Sequence, residues 1–449
     1  MSPAETARKA QRVDELTREL AQMRGAAAVD DTDTFAFWVP GRIEVLGKHT
    51  DYGGGRSLLC AVERGVCVVA HARDVDPTSA RDGQFAALVR VRDANSGETV
   101  EFGLSPDVAP MPGHWSNYPI TVARRVAMNF ASPMRGADIV FASDLLPAAG
   151  VSSSSALVVA IFLALSAVND LPDRLEYRAN IHSSEDLGGY LGCVENGLDF
   201  KSLHGRLGVG TFGGSEDQTA ILCSRPNSLV QYSFCPVMFE RAIALPTGYR
   251  FVIAASGVAA EKTGTVLTHY NRVSTRLSVG LEIWRHATGH TDASMGEAIA
   301  ASPDARERIR EVLSATTNSE YTSSSLVERF DQFHTEANEI VPAAGDALAR
   351  GDLIAFGSYV AQSQDGAERW LENQIPETVA LVRQARELGA TAASAFGAGF
   401  GGSVWALVDS PSVETFRRKW SGAYAQAFPE AARRSEFFST VAGPSAVRL

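Results

Sequence analysis

Cysteine is scarce: the chain has five, Cys60, Cys67, Cys193, Cys223 and Cys235, an odd number with no CxxC spacing and no His-rich neighbourhood. That argues against a disulfide frame or a cysteine zinc site, and the thiols read as buried groups of a reducing compartment. Long apolar runs are missing as well, since no uncharged stretch reaches the roughly 18 apolar residues that a membrane span needs. Residues 1–25 alternate basic and acidic side chains without the apolar segment of a signal peptide, so the expected location is the cytoplasm. Positive charge is in deficit, with 41 Lys and Arg against 52 Asp and Glu for a net charge of −11. A general affinity for nucleic acid or an anionic membrane is thereby disfavoured, and any anionic ligand must be held by a local site. There is no low-complexity tract or internal repeat. Neither GxxxxGK[ST] nor a kinase glycine loop followed by HRD and DFG occurs.

What is present is an ordinary globular composition, 45% hydrophobic and 21% charged over 449 residues, enough for two domains, expected over 1–209 and 210–449. Helical spacing predicts an amphipathic first helix over 4–23. Residues 35–39 read as a strand ended by Pro40-Gly41, and 56–70 and 86–102 as antiparallel strands broken by Asp-Pro, Asp-Gly and Ser-Gly turns. Helices are expected over 120–129, 183–195 and 264–284, a strand over 249–255, and mostly helix with ordinary charged faces over 296–388. The class is α+β.

The chain is organised around Asp144-Leu145-Leu146-Pro147-Ala148-Ala149-Gly150-Val151-Ser152-Ser153-Ser154-Ser155. A strand-like run, 137–142, precedes it, and an Ala/Leu-rich helix follows. Serines at a helix start combine unpaired backbone N–H groups with hydroxyls, and their small side chains let an anion approach closely. The same run also serves simply as a helix cap. Two further loops stand out. Gly41-Arg42-Ile43-Glu44-Val45-Leu46-Gly47-Lys48-His49-Thr50-Asp51-Tyr52-Gly53 groups charged side chains between glycines, more the composition of a binding loop than of a packing element. Gly397-Ala398-Gly399-Phe400-Gly401-Gly402 demands positive φ or close backbone approach. Trp115 and Tyr118, near a helix start, can stack on a purine or pack in the core.

These three loops, in this order, resemble the signature motifs of the GHMP small-molecule kinases, and the first is similar to the galactokinase signature. The resemblance runs from Pro40 to Ala406. It implies the two-lobed GHMP kinase fold with its active site in the cleft between lobes, and an ATP- and Mg²⁺-dependent kinase acting on the anomeric C1 hydroxyl of a monosaccharide, galactose or a close relative. By the same resemblance Asp217 is the catalytic base and Arg42 the guanidinium beside it. Lys48, His49, Asp51, Gly214 and Tyr270 fall on sugar-binding positions. Trp115 and Tyr118 fall on the adenine pocket, Gly150, Ser152, Ser153, Ser154 and Ser155 on the phosphate loop, and Ser154 with Glu195 on the metal site. The implied partners are a small sugar and ATP, with no nucleic acid and no membrane.

Departures from the family pattern bear on the substrate. Where the family commonly writes Gly-Arg-Val-Asn-Leu-Ile-Gly-Glu-His-Thr-Asp-Tyr, this chain has Glu44 for the Asn and Lys48 for the Glu. A lysine pairs with anions and accepts no hydrogen bond, so one reading is an acidic sugar such as galacturonate. In the other, Lys48 turns toward Glu44 or a phosphate and the sugar is a neutral, galactose-like hexose, which is the preferred expectation. The serine loop is one residue short, and an insertion-like segment, 198–210, separates Glu195 from Asp217. A catalytically silent sugar- and ATP-binding sensor is a third reading, disfavoured by the retained Arg42 and Asp217. Homoserine and mevalonate branches of the superfamily lack support in His49-Thr50-Asp51-Tyr52.

Overall fold

β-branched and aromatic residues dominate Thr34–Leu46 and Arg56–Arg73, and in the computed structural model these become the two long central strands of the first sheet. The structure describes residues 3–26, 31–73, 80–81, 84–85, 87–259 and 264–449, with side chains described over 5–26, 32–73, 87–259 and 271–449. The first strand does not end at Pro40-Gly41 as expected. It runs on to Leu46, and its register against the second strand slips between Pro40 and Arg42, opposite Gly65 and Ala61. A bulge absorbs the proline and re-aims the residues that follow. Gly41 is required for another reason: a Cβ there would lie 2.6 Å from the Val151 carbonyl oxygen, so only glycine lets the serine turn come so close.

Along the first sheet the order is Val447–Arg448, Thr34–Leu46, Arg56–Arg73, Gly136–Ser143, Leu88–Asp93 and Thr99–Gly103. Ser228–Ser233 pairs with the start of the second strand and with Met238–Ala244. The neighbours are antiparallel except Leu88–Asp93 with Gly136–Ser143. The helix Ser153–Val168, apolar on nearly all sides, is buried against this sheet through Val158, Ile161 and Leu165. The second sheet runs Ala392–Phe396, Ser403–Asp409, Tyr249–Ala255 and Glu436–Thr440, all antiparallel. Helices Pro376–Glu387 and Val413–Ala427 cover one of its faces with Leu381, Trp420 and Tyr424. Its other face, with Phe251, Ile253 and Trp405, joins the core of the first sheet.

The expected helices over 4–23, 120–129, 183–195 and 264–284 are present as Pro3–Met23, Asn117–Asn129, Ser184–Asn196 and Gly264–Thr288. The expected division at 209/210 does not coincide with the sheets. Ser228–Ser233, Met238–Ala244 and Val447–Arg448 return to the first sheet, because its open edges are completed by segments from late in the chain. A satellite core of Leu277, Trp284, Leu313, Phe330 and Phe333 holds the helices Gly264–Thr288, Ala305–Ala315 and Ser323–His334 together. Among the described residues no helix is long and apolar enough to cross a membrane.

Candidate active site

A cavity of about 570 Å³ opens between the serine turn, the segment 42–52, the start of the helix Glu216–Cys223 and the glycine loop at Gly397. Its volume is that of a small-molecule site. Arg42 and Asp217, 175 positions apart, meet in its wall: Arg42 Nε donates to Asp217 Oδ1 at 2.7 Å and a terminal nitrogen lies 2.6 Å from the same oxygen. Arg42 also donates to the Gly150 carbonyl, which fixes the guanidinium between the carboxylate and the serine turn. Burial alone would weaken its charge, but the carboxylates of Asp217, Glu216 and Glu44 outweigh that and hold its pKa above the ordinary value.

The serine turn is tightly folded, with left-handed backbone at Ala148, Gly150 and Ser152. Ser152 caps the helix without a side-chain capping bond, and its buried hydroxyl has no hydrogen-bond partner among the described residues. A helix start with its first N–H groups outside the helical ladder is a general setting for an anion. Ser152, Ser153, Ser154 and Ser155 all line the cavity. The Tyr118 hydroxyl is hydrogen-bonded to Ser154, and burial is the main cause that pushes it up to about 12. Trp115, Tyr118, Phe141, Leu145 and Leu157 make the apolar end of the cavity, with Trp115 edge-on to Phe141 at 5.6 Å. Both aromatics therefore face the cavity while packing on the core.

Ser155 Oγ donates to Glu195 Oε2 at 2.8 Å and lies 3.2 Å from Asp217 Oδ2. Glu195 is 3% exposed rather than a solvated helix charge, and Gln218 Nε2 donates to it at 2.6 Å. The hydroxyl between Glu195 and Asp217 is that of Ser155, not Ser154 as expected, because the first helical turn points Ser154 at Tyr118. Hydroxyl and carboxylate oxygens are the hard donors Mg²⁺ prefers, so this set fits that ion. Among the described residues no group of three or more His, Cys, Asp and Glu could hold a metal ion, so an ion here needs phosphate and water oxygens as well.

The segment 198–210 returns to this corner only by backbone, Val209 N donating to the Glu195 carbonyl at 2.8 Å. It folds outward onto the helix Asn117–Asn129, where Arg125 donates to the Leu198 carbonyl at 2.7 Å and Asn129 to that of His204 at 2.9 Å. Asn196 then ties the chain back through Gly213 N at 2.8 Å and the Gly214 carbonyl at 3.0 Å.

On the side of the segment 47–52, His49 bonds through Nε2 to the Ala398 carbonyl at 3.1 Å and through Nδ1 to the Tyr52 hydroxyl at 3.2 Å. Asp51 Oδ2 accepts from Glu216 N at 3.0 Å, and burial pushes its carboxyl up. At Gly214 a Cβ would sit 2.3 Å from Asp51 Oδ2, so this position must be glycine for the loop to close. The side chain of Tyr270 lies outside the described residues.

Lys48 departs from expectation. It is 2% exposed and points away from the cavity, donating to Ser394 Oγ at 2.7 Å and Ser363 Oγ at 3.0 Å. Burial lowers its pKa while Glu336 and Glu44 oppose that shift. Arg42 is the one Lys or Arg among the described lining residues, facing Glu44, Asp51, Glu195, Glu216 and Asp217.

A grip on the segment 47–52 went unread in the sequence. Arg329, Gln332 and Glu336 lie on one face of the helix that begins at Ser323, and a π-helical turn, Thr335–Ile340, carries the last of them. Arg329 donates to the Tyr52 hydroxyl at 2.9 Å and to the His49 carbonyl. Glu336 Oε1 accepts from Gly47 N and Ser363 Oγ, both at 2.8 Å. The signal available was three polar residues at helical spacing among Leu326, Phe330, Phe333 and Ala337.

Comparisons with known proteins point to one superfamily. Residues 27–72 match the galactokinase galactose-binding signature, 117–193 the GHMP kinases N terminal domain, and 346–426 the GHMP kinases C terminal family. A galactokinase of Chloroflexus aggregans is 28% identical over 389 residues, 86% of this chain and 87% of the relative. One from Haemophilus influenzae is 25% identical over 386 residues, 85% of this chain and 87% of the relative. In fold, the chain is similar to the Lactococcus lactis galactokinase complexed with galactose, with a TM-score of 0.76, 21% identity, and coverage of 97% and 100% of the two chains. The mevalonate kinase of Methanococcus jannaschii superposes with a TM-score of 0.54 at 11% identity, covering 92% of this chain and 100% of its own.

Proposed function

We propose, from the premise that this chain is a galactokinase-like member of the GHMP kinase superfamily, that it is an ATP-dependent sugar kinase converting galactose to galactose 1-phosphate. The observation that carries the reading is the Arg42–Asp217 pair held against the serine turn inside one cavity.

Asp217 presents Oδ2, the oxygen not taken by Arg42, toward the reacting region. It orients the anomeric hydroxyl and receives its proton late, as the sugar oxygen attacks the γ-phosphorus of ATP. The P–O bond to ADP breaks as the new one forms. Arg42 holds the Asp217 carboxylate through Nε and one terminal nitrogen, and its remaining N–H groups go to the transferred phosphoryl oxygens. Ser152, Ser153 and Ser154, with the N–H groups of the helix start, cradle the β- and γ-phosphates. Ser155 and Glu195 are the residues that would hold Mg²⁺, which when bound supplies charge neutralisation of the phosphate oxygens. Trp115 and Tyr118 take the adenine. His49, Asp51 and Gly214 hold the sugar, with Tyr270 kept in that role by position in the motif. The cytoplasm, which supplies ATP and keeps thiols reduced, is its place.

A neutral hexose is favoured over galacturonate because Lys48 is committed to Ser363 and Ser394 and the lining is rich in carboxylates. The test is ADP release over a panel of sugars. Galactose is expected to be turned over and galacturonate not, and Asp217→Asn should lower kcat by about 10²–10⁴-fold while galactose still binds. A wild-type chain that binds galactose and ATP yet releases no ADP would make it a sensor instead.

A further inference from the structure

Glu44 has no part in the mechanism above. It lies two residues beyond Arg42, on the same face of the strand Thr34–Leu46, and lines the cavity while only 4% exposed. One carboxylate oxygen, Oε2, accepts from Gly397 N at 3.3 Å, which ties it to the glycine loop. The other, Oε1, is buried with no hydrogen-bond partner among the described residues. A buried acceptor with no donor is costly, and native proteins rarely leave one so unless something else completes it.

The protein's own nearby cations do not. Among the described hydrogen bonds Arg42 donates to Asp217 and Gly150 and Lys48 to Ser363 and Ser394, and neither donates to Glu44. Glu44 lines the cavity, and the donor is sought there. Resting on the sugar-kinase reading, the geometry points to Glu44 as a sugar-contacting residue that sets hydroxyl specificity, its Oε1 taking a hydrogen bond from one hydroxyl of the bound hexose. A deoxy sugar lacking that hydroxyl would leave the oxygen unsatisfied as it is now. The segment thus keeps a carboxylate at the sugar from strand position 44, while the loop cation at 48 is spent inside the fold.

The experiment compares wild type, Glu44→Gln and Glu44→Ala on galactose and on its 2-, 3-, 4- and 6-deoxy derivatives, by steady-state kinetics and by calorimetric sugar binding. Glu44→Ala is expected to lower kcat/KM for galactose by about ten- to hundredfold, mostly through KM for the sugar, with KM for ATP unchanged. Glu44→Gln should fall between the two. For one deoxy sugar, and not the others, wild type and variants should be equal, since the contact is absent from both. An equal loss on all five sugars, or a matching rise in KM for ATP, overturns the inference in favour of a structural role. So does a Glu44→Gln chain that no longer unfolds cooperatively. If wild type turns over none of the sugars, the kinase reading falls, and the binding arm still decides whether Glu44 distinguishes one hydroxyl.

Discussion

At position 44 burial sets the chemistry more than neighbours do. It pushes the carboxyl up to about 7, against the pull of Arg42 and Lys48 and with repulsion from Asp217 and Glu336 adding to it. Because this folded-state value lies above the unfolded one of 4.5, the folded chain holds a proton between them that the unfolded chain has released. Stability from this group is thus present below about pH 4.5 and lost as pH rises to about 7. Glu44→Gln, which cannot titrate, should gain thermal stability relative to wild type on going from pH 5 to pH 8, by about 3 kcal/mol at the limit. Parallel melting curves for the two proteins across that range would contradict the assignment. Gly214→Ala acts on the neighbouring carboxylate, since its methyl group must displace Asp51 from 2.3 Å. An increase of about tenfold or more in KM for galactose, with KM for ATP held, is the expected kinetic result. Residue types were legible here: Arg42, Asp51, Asp217 and Glu195 were singled out by motif. Their directions were not, and Lys48 and Ser154 point elsewhere because a side chain's aim depends on the neighbours it meets.

Among the elements, the strand Thr34–Leu46 and the helix beginning at Ser323 do most to place the site. The strand's bulge at Pro40 turns Arg42 toward Asp217, and Pro-Gly was misleading because bulges and terminators share the same residues. The helix grips the sugar loop by backbone atoms, Glu336 on Gly47 and Arg329 on His49. Glu336→Gln keeps the shape but removes the charge from those bonds, and should raise KM for the sugar by about tenfold with little change for ATP. Equal effects on both substrates would show general loosening instead. Helix positions were legible from periodicity alone, but not which polar residues on them are buried, since an ordinary charged face and a gripping face have the same spacing.

For the whole molecule, the two sheets share one continuous core, so the cavity walls are parts of a single packed body. Its ligands should then act on global stability. Galactose at 100 times its Kd should add about 2.7 kcal/mol and raise Tm by several degrees, and an unhydrolysable ATP analogue should raise it further. Asp217→Asn should keep the galactose response, because the change removes a base and not the pocket. A Tm indifferent to both ligands would remove the cavity from consideration as their site.

The sequence by itself determined the class of the molecule, the helix and strand periods, and three loops of small and charged residues whose likeness to a family's motifs implied the site, because periodicity and turn chemistry are local. Only the tertiary structure decided that Ser155 bridges Glu195 and Asp217, that Lys48 is withdrawn onto Ser363 and Ser394, and that Glu44 faces the cavity with an oxygen unsatisfied. Those outcomes depend on which groups, hundreds of residues apart, compete for the same buried partner. Desolvation makes that competition strict, and local pattern carries no record of its result.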